Sequence, residues 1–193
     1  MDVEILLFDG YDELDAIGPY EVFRIAAHRD DGIDASLVTR EPTDLVEARS
    51  GLRVEPDGVV SASPEMLLVP GGGWNDHDGP GVRREHDRGD IPELVADRFE
   101  SGTTLASVCT GSLLLAAAGV LEGRPAATHH TAHEDFREMG IDLREERFVD
   151  DGRVLTASGI TSGFDLALHI VERECGGAVA EAVAKELEYE RAI

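Results

Sequence analysis

Short apolar runs alternate with amphipathic stretches along the chain, the pattern of a parallel sheet covered by helices on both faces. Val3 to Phe8 reads as a buried first strand. Leu14, Ile17, Tyr20, Phe23 and Ala27 then recur at helical spacing, although Gly18-Pro19 should break or kink the first turn. Further strands are predicted over residues 33–39, 66–69, 104–108, 124–128 and 154–157, and helices over 110–120, 131–139, 164–174 and 179–189. The polar stretch Asn75 to Asp90, with Gly79-Pro80-Gly81 inside it, reads as a long surface loop. No internal repeat, low-complexity tract or linker interrupts the series. Residues 1–193 are therefore read as one α/β domain with a doubly wound, mainly parallel sheet.

Charge narrows the function classes. The chain carries 17 Lys plus Arg against 40 Asp plus Glu, a formal charge of −23. Hydrophobic residues still make up 42%, enough for a core, so the acidity does not signal disorder. Phosphate backbones and anionic lipid surfaces repel such a chain, and no Lys/Arg run creates a local exception, so neither nucleic acid nor membrane is an expected partner. Lys185 is the only lysine, and the acids are spread along the whole chain. The plain reading of this combination is an acidic mesophilic protein, and the sharper one is a charged shell adapted to concentrated salt, where the Debye length falls to roughly 3 Å at 1 M and self-repulsion is screened. The first residues lack a signal peptide's positive start, and the apolar run Leu113 to Leu121 is too short to span a bilayer. A soluble cytoplasmic protein is expected.

Sites in an open parallel sheet form at the carboxyl ends of its strands. Three segments fall there: Asp15 after the first strand, Gly71-Gly72-Gly73 after a middle one, and Cys109 after the strand from Thr104. In Ser107-Val108-Cys109-Thr110-Gly111 a strand ends at a cysteine and small residues open a helix, as in a nucleophile elbow. Unpaired N–H groups and the helix dipole favour a thiolate there; the alternative is a small buried residue. Backbone N–H groups of Gly72 and Thr110 are candidate donors to the oxyanion of an adduct. Asp15 is a candidate for proton transfer with the thiol, or else a helix cap. Glu21 belongs to the first helix for electrostatic reasons. His129, His130 and His133 form His-His-x-x-His, which is not the His-Glu-x-x-His of metalloproteases, and no metal is assigned. Trp74 is a candidate pocket wall, with packing as its other reading. The turn from Ser158 to Gly163 is read as packing against the site, with a ligand anion at the following helix N-terminus as its other reading, and Cys175, with no CxxC partner, as structural.

Together, Leu14-Asp15-Ala16-Ile17-Gly18-Pro19-Tyr20-Glu21-Val22-Phe23, Pro70-Gly71-Gly72-Gly73, Ser107-Val108-Cys109-Thr110-Gly111 and Ala127-Thr128-His129 resemble the ThiJ/PfpI superfamily over essentially the whole chain. The resemblance implies a flavodoxin-like fold of the class I glutamine amidotransferase type. It makes Cys109 the reactive cysteine, Asp15 the motif carboxylate, and Gly72 and Thr110 the backbone donors. It places His129 near the cysteine, where it can tune the thiolate or pass a proton. It further implies a homodimer acting on a small molecule without a cofactor. PfpI-type proteases carry a histidine directly after the cysteine, where Thr110 stands here, which argues against peptidase activity. The motifs look most like the isonitrile hydratase branch and the sensor halves of AraC-type regulators, whose helix-turn-helix domain this sequence is too short to include. Glyoxalase-like or deglycase-like activity on reactive aldehydes is a second implied reading, and non-catalytic ligand binding or oxidation sensing through Cys109 a third.

Overall fold

A computed structural model describes residues 1–192. The strands are β1 (Asp2–Leu7), β2 (Asp34–Thr39), β3 (Val46–Glu47), β4 (Arg53–Val54), β5 (Gly58–Val59), β6 (Met66–Val69), β7 (Thr104–Val108), β8 (Pro125–Ala126), β9 (Asp142–Leu143), β10 (Phe148–Asp150) and β11 (Val154–Ala157). The helices are α1 (Glu13–Ala27), α2 (Val82–Arg88), α3 (Asp90–Glu100), α4 (Ser112–Ala117), α5 (His133–Glu138), α6 (Ser162–Cys175) and α7 (Gly177–Glu186).

Seven strands form the central sheet in the order β10-β11-β7-β6-β1-β2-β5. All its neighbours are parallel except β10 and β11. The near-continuous apolar runs have the expected cause: Ile5, Leu6, Met66 to Val69, Leu105 and Ala106 are fully buried in β1, β6 and β7, the middle of a sheet covered on both faces. Helices α1, α6 and α7 pack together as one group, and α2, α3 and α4 as another. This is the doubly wound α/β architecture of the class I glutamine amidotransferase type. Its topology brings the carboxyl ends of β1, β6 and β7 side by side. No helix among the described residues is long and apolar enough to cross a membrane.

Four local expectations need correction. Helix α1 runs unbroken through Gly18-Pro19. Pro19 removes one backbone donor, but a Cβ on Gly18 would meet the Phe164 ring at 3.3 Å and one on Gly163 would meet Pro19 Cγ at 3.4 Å, so close packing of α1 on α6 outweighs that loss. The stretch expected to be all loop contains α2, bracketed by Gly81 (φ 133°) and Gly89 (φ 82°). The strand expected over 124–128 shrinks to the two residues of β8, and the helix expected from Thr110 begins as a tight 3-10 turn at Cys109–Gly111.

Candidate active site

Cys109 follows β7 directly, and its backbone turns abruptly there. Val108 is extended (φ −121°, ψ 140°), whereas Cys109 has φ 59°, a left-handed conformation that costs a non-glycine residue about 1–3 kcal/mol. The surroundings hold it in place. Its N–H donates to Ser158 O at 2.8 Å, and its carbonyl accepts from Ser112 Oγ at 3.1 Å and Thr128 Oγ1 at 3.2 Å. Two residues on, a Cβ at Gly111 would lie 2.2 Å from Val69 O, so only glycine lets the helix start this close to β6. The side chain is 6% exposed.

Asp15 sits in the first turn of α1, but it does not cap the helix. That role belongs to Asp12, whose carboxylate accepts from the Leu14 N–H. Asp15 is fully buried, with Oδ2 accepting the Gly71 N–H at 3.0 Å and Oδ1 left without a hydrogen-bond partner among the described residues. Burial pushes its pKa up to about 8, helped by the charge of Asp12 and opposed by the Gly71 N–H and the Cys109 thiol. Against the expectation of a favoured thiolate, the thiol is also raised, first by burial and then by the Asp15 charge, and the N–H groups of Thr110 and Ile160 only partly oppose this. Two groups coupled in this way titrate as a pair. Removing a first proton is only moderately hard, and removing a second is much harder.

The glycine turn closes around this pair. A Cβ at Gly71 would fall 2.6 Å from Thr110 N and 2.9 Å from Asp15 Oδ2. The Gly72 N–H, expected to face an adduct, donates instead to Thr110 Oγ1 at 3.0 Å. Gly72 thus ties the turn to the elbow, and the N–H that reaches the carboxylate is that of Gly71. Trp74 is 2% exposed and does not present an open wall; its Nε1 donates to Asp135 Oδ2 at 3.0 Å, and the Arg83 guanidinium lies 3.4 Å above its ring.

His129 accompanies the Cys109 loop without replacing its carboxylate. Its Nδ1 lies 2.8 Å from Thr131 Oγ1, and its ring is so close to Gly159 that a Cβ there would approach Cδ2 at 2.7 Å. Burial, then the neighbouring His130 and His133, lower its pKa, which favours a neutral ring over a cationic partner for a thiolate. Among the described residues no cluster of three or more His, Cys, Asp or Glu is arranged to hold a metal.

Two donors escaped the sequence reading, Gly71 to Asp15 and Ile160 to Cys109. Backbone N–H groups carry no side-chain signature. The only pointer to Ile160 was its place in the small-residue turn before α6, where it adopts φ 25°.

A cysteine elbow, a glycine turn and a buried acid meet at adjoining strand ends. A model of the DJ-1/PfpI family matches residues 1–173. The chain belongs to that family. It is 33% identical to isonitrile hydratase of Pseudomonas putida, over 98% of this chain and 78% of that protein. It is 28% identical to the glutathione-independent glyoxalase DJR-1.2 of Caenorhabditis elegans over 78% of this chain and 79% of that one. It is 32% identical to the HTH-type transcriptional regulator GbdR of Pseudomonas aeruginosa over 76% of this chain, spanning only 39% of that longer protein. Among solved structures, a ThiJ/PfpI family protein from Pseudomonas syringae superposes with TM-score 0.83 at 26% identity, covering all of this chain and 76% of the other. This DJ-1/PfpI family includes proteins named as enzymes and others named as regulators.

Proposed function

We propose that this protein is a cysteine-dependent enzyme that hydrates isonitriles to N-substituted formamides. The observation that carries the reading is the buried Asp15 carboxyl facing the Cys109 thiol at the elbow; the likeness to isonitrile hydratase over nearly the whole chain supports it. Isonitrile carbon is both electrophilic and in need of a proton, and this pair offers a nucleophile and a proton together.

In the reactive form the pair holds one proton and one negative charge. Cys109 sulfur bonds to the terminal isonitrile carbon while Asp15 delivers the proton to that carbon, giving a thioimidate and a carboxylate. Asp15 then takes a proton from water as its oxygen adds to the same carbon, and passes that proton to nitrogen. Carbonyl formation breaks the C–S bond, the hydroxyl proton returns to Asp15, and the thiolate leaves with the N–H groups of Thr110 and Ile160 supporting the sulfur's charge. The singly protonated pair is thereby restored. No cofactor enters these steps.

The test follows formamide formation from a simple alkyl isonitrile by NMR, beside loss of methylglyoxal under the same conditions. Formamide production with little methylglyoxal loss is expected. Methylglyoxal turnover without formamide would replace the reading by a glyoxalase-like one, and neither reaction would favour a binding or sensing role.

A further inference from the structure

In a chain so rich in carboxylates, an arginine without a partner is unusual. Among the described residues, every arginine side chain except Arg49 and Arg84 meets a carboxylate or a backbone carbonyl. These two line the same cavity, of about 400 Å³, with Asp9, Glu47, Gly73 and Asp76. The size suits a small organic ligand.

Each of the cavity's own acids already has a partner, an arginine for Glu47 and a backbone N–H for Asp9 and Asp76. Asp9 Oδ1 accepts the Glu47 N–H at 3.1 Å, Glu47 Oε2 pairs with Arg53 Nε at 2.9 Å, and Asp76 Oδ1 accepts the Gly79 N–H at 2.9 Å. Arg84 stays half-buried on α2, near enough to Glu85 to influence its charge but without a salt bridge to it. Arg49 is fixed through its backbone, whose N–H donates to Tyr11 O at 2.9 Å, leaving its guanidinium exposed. Gly73 belongs to the turn whose preceding residues bind Asp15 and Thr110, so the cavity backs onto the cysteine centre.

We infer that this cavity is a second ligand site, in which Arg49 and Arg84 hold the oxyanion of a small carboxylate or phosphate compound. Guanidinium groups suit both chemistries through charge-assisted hydrogen bonds. The inference stands apart from the reaction at Cys109.

Titration calorimetry with inorganic phosphate and, separately, malonate, at fixed potassium chloride, tests it. One saturable site per chain is expected for one or both anions, and the anion that saturates identifies the class. Arg49→Gln and Arg84→Gln should each weaken binding at least about tenfold, while Arg24→Gln, which removes a charge paired with Asp34, should not. Thermal melts establish that the variants remain folded. Lack of saturable binding by the wild type would overturn the inference, as would equal weakening by Arg24→Gln. If Arg49→Gln or Arg84→Gln instead lowers the mass measured by sedimentation, without any anion binding by the wild type, these arginines serve a contact between copies and the ligand site falls.

Discussion

Asp15 is the residue whose protonation governs both stability and the proposed chemistry. Its folded pKa, about 8, stands above the ordinary carboxylate range, so the native state retains a proton that the unfolded chain gives up. This contribution is fully present below the unfolded pKa and is lost as pH rises through 8, at a slope near 1.4 kcal/mol per pH unit. Asp15→Asn should flatten that slope and raise the midpoint of chemical unfolding at pH 8. Catalysis runs the other way with pH. The doubly protonated pair has no base and no thiolate, so kcat/KM for the isonitrile should climb about tenfold per pH unit below 8 and level off above it. Asp15→Asn should lower kcat/KM by at least about 100-fold and abolish that rise, which a pH series on wild type and variant would show. Cys109 and Asp15 were both legible as residue types at strand ends. Which glycine N–H reached the acid was not, because Gly71 and Gly72 look identical in sequence and differ only in the direction of their N–H groups.

At the scale of elements, periodicity located the core strands and the helices α1, α6 and α7, but it placed nothing over α3 (Asp90–Glu100) and failed where tertiary contacts decide. Gly18-Pro19 reads locally as a break, yet Gly18 is where α1 meets Phe164 of α6. Gly18→Leu should overpack that contact and destabilise the fold by about 1–3 kcal/mol in denaturant unfolding, with α1 still helical by circular dichroism. Helix α2 was missed for a different reason: it is short and nearly all charged, with only Val82 and Glu85 buried, too little for an apolar period to show. The start of α6 is held from the chain's far end. Buried Asp165 accepts from Tyr189 Oη at 3.0 Å and the Ala192 N–H at 3.0 Å, and pairs with Arg147. Arg147 also reaches Thr161 Oγ1 at 3.3 Å, one residue from the Ile160 N–H that faces Cys109. Asp165→Ala should therefore cost about 2–3 kcal/mol of stability, read from the unfolding midpoint.

For the whole molecule, the net charge of −23 sets the conditions under which the sheet and its site persist. Surface ion pairs between arginines and acids are numerous, but each is worth about 0–1 kcal/mol when exposed, and they leave most carboxylates unpaired. Repulsion among these should destabilise the fold at low ionic strength and fade as the Debye length shrinks. We predict that the melting temperature rises with potassium chloride and flattens near or above roughly 1 M. Full stability in dilute buffer would contradict the reading of a salt-adapted shell. Composition made that expectation visible from the start, whereas the two unpaired arginines beside the glycine turn emerge only once the chain is folded.

The proposed hydration runs through a covalent bond between Cys109 and the isonitrile carbon. Mass spectrometry of an acid-quenched reaction measures it directly: the peptide carrying Cys109 should gain the full mass of one isonitrile, and the gain should vanish together with turnover in Cys109→Ala. Formamide formation at the wild-type rate by Cys109→Ala would contradict it.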